Sequence, residues 1–267
     1  MKHFRILFAA LFFILTGAFN LEAQSLKGMS LNGSTGLYSI PSGRIAWERS
    51  SDFGIDIGYS LIVSDEKAAH IPKMAFSFFK WVELSLAFDI QPDGHYYSDR
   101  GADFIGGLKI QFPLAKTALA LGGNFQAINT GKNRVNYLAG QVYVAATYAG
   151  HFFNMPAETT VVLGKTFIEN RTNSNIDYGM GFDMILFPDV FGNYIHWVLD
   201  FANFSYSVAP FGADSWGRGV LNTGLRIDLA SIPALNKFKF VIDILITDAF
   251  DTSRAFSAGL VFGIPIL

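Results

Sequence analysis

From Ser51 onward this chain places an apolar side chain at every second position, again and again, over stretches of roughly 8 to 13 residues. Phe53, Ile55, Ile57, Tyr59 and Leu61 alternate with Gly54, Asp56, Gly58 and Ser60, so one face of an extended strand is greasy and the other small or charged. Val82, Leu84, Leu86, Phe88 and Ile90 do the same against Glu83, Ser85, Ala87 and Asp89. The grammar continues through the segments around Phe104–Phe112, Leu119–Phe125, Tyr178–Leu186 and Phe238–Ile246. Less regular strands are read at Pro72 to Phe79, Tyr137 to Ala149, Glu158 to Phe167, Tyr194 to Ser207, Gly219 to Leu229 and Ala255 to Ile264. These stretches exceed the usual soluble strand of about 5 to 6 residues and match the 9 to 11 that a tilted membrane-crossing strand needs.

Composition decides between water and lipid. Hydrophobic residues are 51% of the 267 and charged ones 16%, against roughly 25% in a soluble domain. Yet past the first two dozen residues no apolar run approaches the roughly 20 residues of a spanning helix. A bilayer otherwise admits only closed barrels, because every backbone N–H and C=O must find a partner away from water. The expected fold is therefore all-β: a transmembrane antiparallel up-and-down β-barrel of about 12 strands, within a range of 10 to 14.

The connections point the same way. Lys80-Trp81 and Pro113 to Lys116 read as tight turns, whereas Gln91 to Ala102, Ile128 to Asn136 and Val208 to Arg218 are longer and more polar. Outer-membrane barrels alternate short periplasmic turns with longer external loops, so an even strand count leaves both termini in the periplasm. Aromatic residues cluster near the expected strand ends: Phe79, Trp81, Phe112, Phe152, Phe153, Phe187, Phe191, Tyr194 and Trp197 on the short-turn side, and Tyr96, Tyr97 and Trp216 on the other. Such residues suit interfacial girdles.

Ahead of the barrel, Lys2, His3 and Arg5 precede an apolar stretch from Ile6 to Phe19, and Ala23 offers a small residue for cleavage. Residues 1–23 read as a signal peptide, 24–52 as an N-terminal entry segment and 53–267 as the barrel. The lack of cysteine excludes a disulfide framework, cysteine-based zinc sites, a thiol nucleophile and lipid attachment at an N-terminal cysteine.

Charges are costly on a lipid-facing surface, roughly 2 to 4 kcal/mol for a midplane Arg or Lys. The expected lumen residues are accordingly Asp56, Glu83, Asp89, Asp103, Lys109, Asp177, Asp183, Asp200, Arg226, Asp228, Lys239 and Asp243. Acidic residues dominate the set, which fits either a narrow cation-favouring path or an interior filled by salt bridges. The filled interior is slightly favoured at this barrel size. For catalysis, His70 and His95 fall in expected external loops, with Asp93 and Asp99 near the second, but no signature fixes a nucleophile or an orienting partner. No phosphate-binding loop or metal-ligand spacing is present, so no cofactor or metal is expected. The net charge of -2 gives no reason to expect a nucleic-acid partner.

Two stretches carry a resemblance. Gly33-Ser34-Thr35-Gly36-Leu37 through Pro41-Ser42-Gly43-Arg44, ahead of the strand at Phe53, resembles the opening of a family of bacterial outer-membrane barrels associated with exopolysaccharide production. Trp81-Val82-Glu83-Leu84 and Gly259-Leu260-Val261-Phe262 are similar to other parts of that family. Residues Ser257, Gly259, Phe262 and Ile264 resemble the C-terminal signal read by the barrel-assembly machinery, although the chain ends in Pro265-Ile266-Leu267 where a terminal aromatic is commoner. Physically, the Gly33–Gly43 segment suits either a brace at the lumen mouth or a surface turn. The resemblance implies a non-enzymatic outer-membrane protein assisting surface polysaccharide export or envelope organisation, with membrane lipid, the assembly machinery and polysaccharide as partners. A small porin-like channel and a barrel hydrolase are the alternatives.

Overall fold

The computed structural model describes residues 28–48, 51–64, 67–91, 102–113, 116–129, 136–169, 174–207, 215–232, 234–235, 237–251 and 254–266. The signal-peptide reading of residues 1–23 lies outside them, as do Tyr96 and Tyr97. Twelve antiparallel strands form one closed barrel: β1 (Phe53–Ser64), β2 (Lys67–Phe78), β3 (Val82–Ile90), β4 (Ala102–Pro113), β5 (Thr117–Ile128), β6 (Tyr137–Phe152), β7 (Met155–Ile168), β8 (Asp177–Ile185), β9 (Ile195–Ala202), β10 (Val220–Asp228), β11 (Lys239–Thr247) and β12 (Ala255–Pro265). Each strand pairs with its sequence neighbours, and β1 closes the ring on β12 with Ile55 opposite Ile264 and Leu61 opposite Ala258. No strand edge is left open, which is what lipid demands.

The period of two sets the faces. In β3, Glu83, Ser85, Ala87 and Asp89 are buried while Leu84, Leu86, Phe88 and Ile90 are exposed. In β1, Gly54, Asp56, Gly58 and Ser60 point inward and Ile57 and Tyr59 outward. The barrel is thus inside-out relative to a soluble one: its bare exterior is apolar and its interior holds the charges. Phe79, Trp81, Phe112, Phe152, Phe153, Phe187 and Phe191 are all exposed at the end of the short turns.

Strand ends differ from the sequence reading by a few residues, as where β7 begins at Met155 instead of Glu158, and three differences have a local reason. β2 begins at Lys67 instead of Pro72, and Pro72 sits inside the strand opposite Tyr59 of β1. Lacking an N–H, it coincides with a break in the ladder to β3, whose pairs step from His70↔Ile90 to Lys73↔Ala87. The first tight turn centres on Phe79-Lys80, at φ 52° and 67°, with Phe153-Asn154 matching it at 48° and 65° between β6 and β7. Two successive positive φ values are the twist-compatible geometry of a two-residue hairpin turn, reached here without glycine. Finally, β9 stops at Ala202; residues 203–207 leave the sheet and carry Phe204 and Tyr206 into the buried interior.

The core lies inside the barrel. Residues 28–47 are almost wholly buried, and Leu31, Leu37, Tyr38 and Ile40 from that segment cluster with Ile62, Ile71, Ile105, Tyr143, Val162, Val198 and Leu245 of the wall. Met29 forms a smaller cluster with Ala75, Val241 and Val261. Apolar packing on the axis is therefore supplied by the chain ahead of β1.

Because Val144 lies midway along β6 on the outer face and is 50% exposed, Val144→Arg should cost about 2 to 4 kcal/mol of unfolding free energy in lipid vesicles. Urea titration followed by tryptophan fluorescence measures it, and a loss below 1 kcal/mol, on the order of thermal energy, would argue against a lipid-facing position.

Candidate functional site

All twelve charged residues named for the lumen lie on the inward face of the strands and are buried, from Asp56, Asp200 and Asp228 at 0% exposure to Asp183 at 6%. Glu158 of β7 and Lys73 of β2 face inward with them. Among the described residues the wall therefore carries ten carboxylates and four Lys or Arg cations.

The cations are spent on specific pairs. Arg226 of β10 joins three strands: Nη1 donates to Asp183 Oδ2 of β8 at 2.7 Å, Nε to Asp243 Oδ1 of β11 at 2.7 Å and Nη2 to Asp243 Oδ2 at 3.1 Å. The other Asp183 oxygen meets His196 Nδ1 at 2.5 Å, and His196 Nε2 faces the Asn193 carbonyl at 3.1 Å. Lys239 reaches Asp56 at 2.7 Å, and Lys109 reaches Glu83 at 2.9 Å across neighbouring strands. Such pairs are weak evidence for stability, but removing one partner strands the other in a dry interior.

Much of the remaining capacity of the wall is used by residues 28–48, which run up from the short-turn end of the lumen and back. Lys73 Nζ donates to the carbonyls of Met29 at 2.9 Å and Ser30 at 3.3 Å. Asn32 donates to Asn124 of β5 at 3.0 Å. Thr35 is clasped: its N–H and hydroxyl donate to the two Glu83 oxygens at 2.8 and 2.5 Å, and its carbonyl accepts from Lys109 at 2.9 Å. Asp200 of β9 takes the N–H of Tyr38 at 2.8 Å, the N–H of Ser39 at 2.6 Å, the Ser39 hydroxyl at 3.0 Å and the Asn222 amide at 2.8 Å. Gly43 donates to Thr147 of β6, Ile45 to Gln111 of β4, and Trp47 Nε1 to Asp56 of β1 at 3.0 Å. Arg44 pairs with Glu48 at 2.7 Å and with Glu158 at 3.2 Å. Of the two readings of Gly33–Gly43, the lumen brace is the one realised.

The glycines of the Gly33-x-x-Gly36 motif serve this path. Gly33 has φ +86°, and a Cβ there would lie 2.5 Å from the Leu86 carbonyl oxygen; one on Gly36 would lie 2.3 Å from the Ile40 carbonyl oxygen. The segment folds back on itself through isolated bridges Met29↔Thr35 and Gly36↔Pro41 at a closeness that no side chain allows.

A second polar network occupies the long-loop end. Tyr206, from the stretch that leaves β9, donates its hydroxyl to Gln141 at 2.6 Å and accepts from Asn124 at 2.8 Å. Gln141 donates to Asp177 at 2.7 Å, where Thr166 also bonds. Ser207 donates to Asp89 at 2.8 Å, and the N–H of Asn129 to Asp103 at 2.8 Å. At the opposite, short-turn end, Asp228 accepts from the N–H of Ala230 at 3.0 Å, capping a short 3-10 turn.

Several partners escaped the sequence reading. Arg44, Glu48, Lys73, Glu158, His196, Gln111 and Gln141 all take part, and alternation alone signals the inward side of Lys73, Glu158, Gln111 and Gln141 within their strands. Nothing local signals Arg44 or Glu48, which lie ahead of the first strand. His70 is not in a loop: it lies in β2 on the outer face, with Nδ1 2.5 Å from the Tyr59 hydroxyl. His95, Asp93 and Asp99 lie outside the described residues. Of the C-terminal signal residues, Ser257 is buried and inward, Gly259 pairs with Ser60 and Asp243, and Phe262 and Ile264 face outward.

Arg226→Met should destabilise the barrel by about 3 to 5 kcal/mol, since it leaves Asp183 and Asp243 buried without their cation. The triple variant that adds Asp183→Asn and Asp243→Asn should recover most of that loss. Chemical unfolding in detergent reads both, and a single variant within 1 kcal/mol of the parent, about the uncertainty of the method, contradicts the assignment.

No protein-family model matches the chain, and no curated protein matches it. Among solved structures, the KdgM porin superposes with a TM-score of 0.49 at 6% identity, over 79% of this chain and 99% of that one. Omp33, an outer membrane protein of Acinetobacter baumannii, gives 0.45 at 12% identity over 81% and 98%. An outer membrane channel from Pseudomonas putida F1 gives 0.44 at 10% identity over 81% and 96%. This chain is similar to these proteins at a distance that carries nothing about its own substrate.

Proposed function

We propose that this protein is a non-enzymatic barrel of the bacterial outer membrane, closed at rest by its own residues 28–48, that assists surface polysaccharide export or envelope organisation. Both chain termini face the periplasm in this reading, with membrane lipid around the apolar belt and the barrel-assembly machinery acting on β12. The observation that carries it is the occupied lumen: the segment is held by side chains of β1, β2, β3, β4, β5, β6, β7 and β9. The residues that resemble the polysaccharide-associated family, Gly33 to Arg44, are the same residues that fill the lumen. The likeness therefore concerns the working part of the molecule and not a generic strand. Against chemistry in the lumen, both ring nitrogens of His196 are already engaged by Asp183 and Asn193, so that imidazole has no free nitrogen for general base work.

The purified full-length protein should be nearly silent in planar lipid bilayers, whereas a variant lacking residues 28–48 should conduct steadily. Steady conductance of the full chain, equal to that of the deletion, would favour the small porin-like channel instead. In cells, loss of the protein should reduce surface polysaccharide, and the full-length chain should restore it.

A further inference from the structure

The chemistry of the lumen's present occupant and that of its wall are complementary in a particular way. Residues 28–43 contain no charged side chain and carry six hydroxyls, on Ser30, Ser34, Thr35, Tyr38, Ser39 and Ser42. They meet a wall on which, among the described residues, ten carboxylates face four Lys or Arg cations. Two of those carboxylates each grip adjacent neutral donors on the segment. Glu83 takes the N–H and hydroxyl of Thr35, and Asp200 takes the N–H groups of Tyr38 and Ser39 together with the Ser39 hydroxyl. Charge-assisted bonds from neutral donors to fixed carboxylates are strong and directional. They need a donor-rich partner and reject an anionic one, which would have to place like charges together away from water.

We infer that the lumen, once residues 28–48 are displaced, accepts an uncharged, hydroxyl-rich polymer such as a neutral glycan and excludes polyanionic glycans. Residues 28–43 occupy the path as a peptide stand-in for that cargo, uncharged and offering paired donors to Glu83 and Asp200. Vicinal hydroxyls of a neutral sugar present two donors from neighbouring atoms, which suits the same carboxylates. A uronic-acid or sulfated chain meets instead a wall on which, among the described residues, carboxylates outnumber Lys and Arg cations. The inference rests on the plugged-barrel reading above and adds to it the class of cargo.

The test uses two variants in planar bilayers, each first checked for a compact form that shifts on boiling. One lacks residues 28–48. The other is full-length with Thr35→Val and Ser39→Ala, which loosens the segment and leaves the wall intact, so a deletion that fails to fold does not end the experiment. In a KCl gradient the reversal potential should report K+ preferred over Cl- by about tenfold, the lower end of what a like-charged cleft achieves. Dextran oligomers added to one side should reduce the current, and dextran sulfate of matched length should not. Anion selectivity, or block by dextran sulfate as strong as by dextran, overturns the assignment of cargo while leaving the plug in place. Folded variants that conduct no more than the full-length parent overturn the plugged-barrel reading, and the cargo assignment with it.

Discussion

Closure of the backbone hydrogen bonds into a ring is the condition on which everything else in this molecule depends. Away from water, an open sheet edge would leave a row of unpaired N–H and C=O groups, so β1 must find β12. Once the ring is closed, the two-residue period of each strand assigns every side chain to lipid or to lumen with no intermediate choice. A charge such as Asp56 or Arg226 then has only one tolerable side, and small residues such as Gly58 and Ser60 keep room there.

That condition creates a second problem inside the ring. The inward face brings Asp183, Asp200, Asp243, Glu83 and their companions toward a common axis, where among the described residues carboxylates outnumber the wall's Lys and Arg cations. Ion pairs settle part of it, between neighbouring strands for Lys109 and Glu83 and across β12 for Lys239 and Asp56. The rest is met by neutral donors from residues 28–48 and by the inward turn of residues 203–207, so the polar wall is hydrogen-bonded without a matching number of opposite charges. The same segment supplies the apolar side chains, Leu37 and Ile40 among them, that give the barrel a packed core.

Much of this was legible in the residue order. The strands around Phe53, Val82, Leu119 and Phe238 stand where their alternation puts them, and the twelve charged residues named for the lumen all lie inward. Where the reading slipped, a local rule met a tertiary override. Pro72 looked like the start of the second strand, yet that strand begins at Lys67, and the barrel tolerates Pro72 within it at a break in the β2–β3 ladder. Phe204 and Tyr206 looked like more strand, yet Tyr206 finds Gln141 and Asn124 by leaving the sheet. His70 looked like a loop residue for want of an extended β2.

What the sequence by itself determined is the side of the wall on which each strand residue lives, because a period of two is a property of the local backbone and needs no knowledge of the rest of the chain. What only the tertiary structure decided is what stands on the axis. Gly33 to Gly43 has no period and no charge, and as a string of residues it serves equally as surface turn or lumen brace. Its place is set by wall partners 48 to 162 residues away, from Glu83 at Thr35 to Asp200 at Tyr38. Those partners converge on one axis only after twelve strands have closed around it.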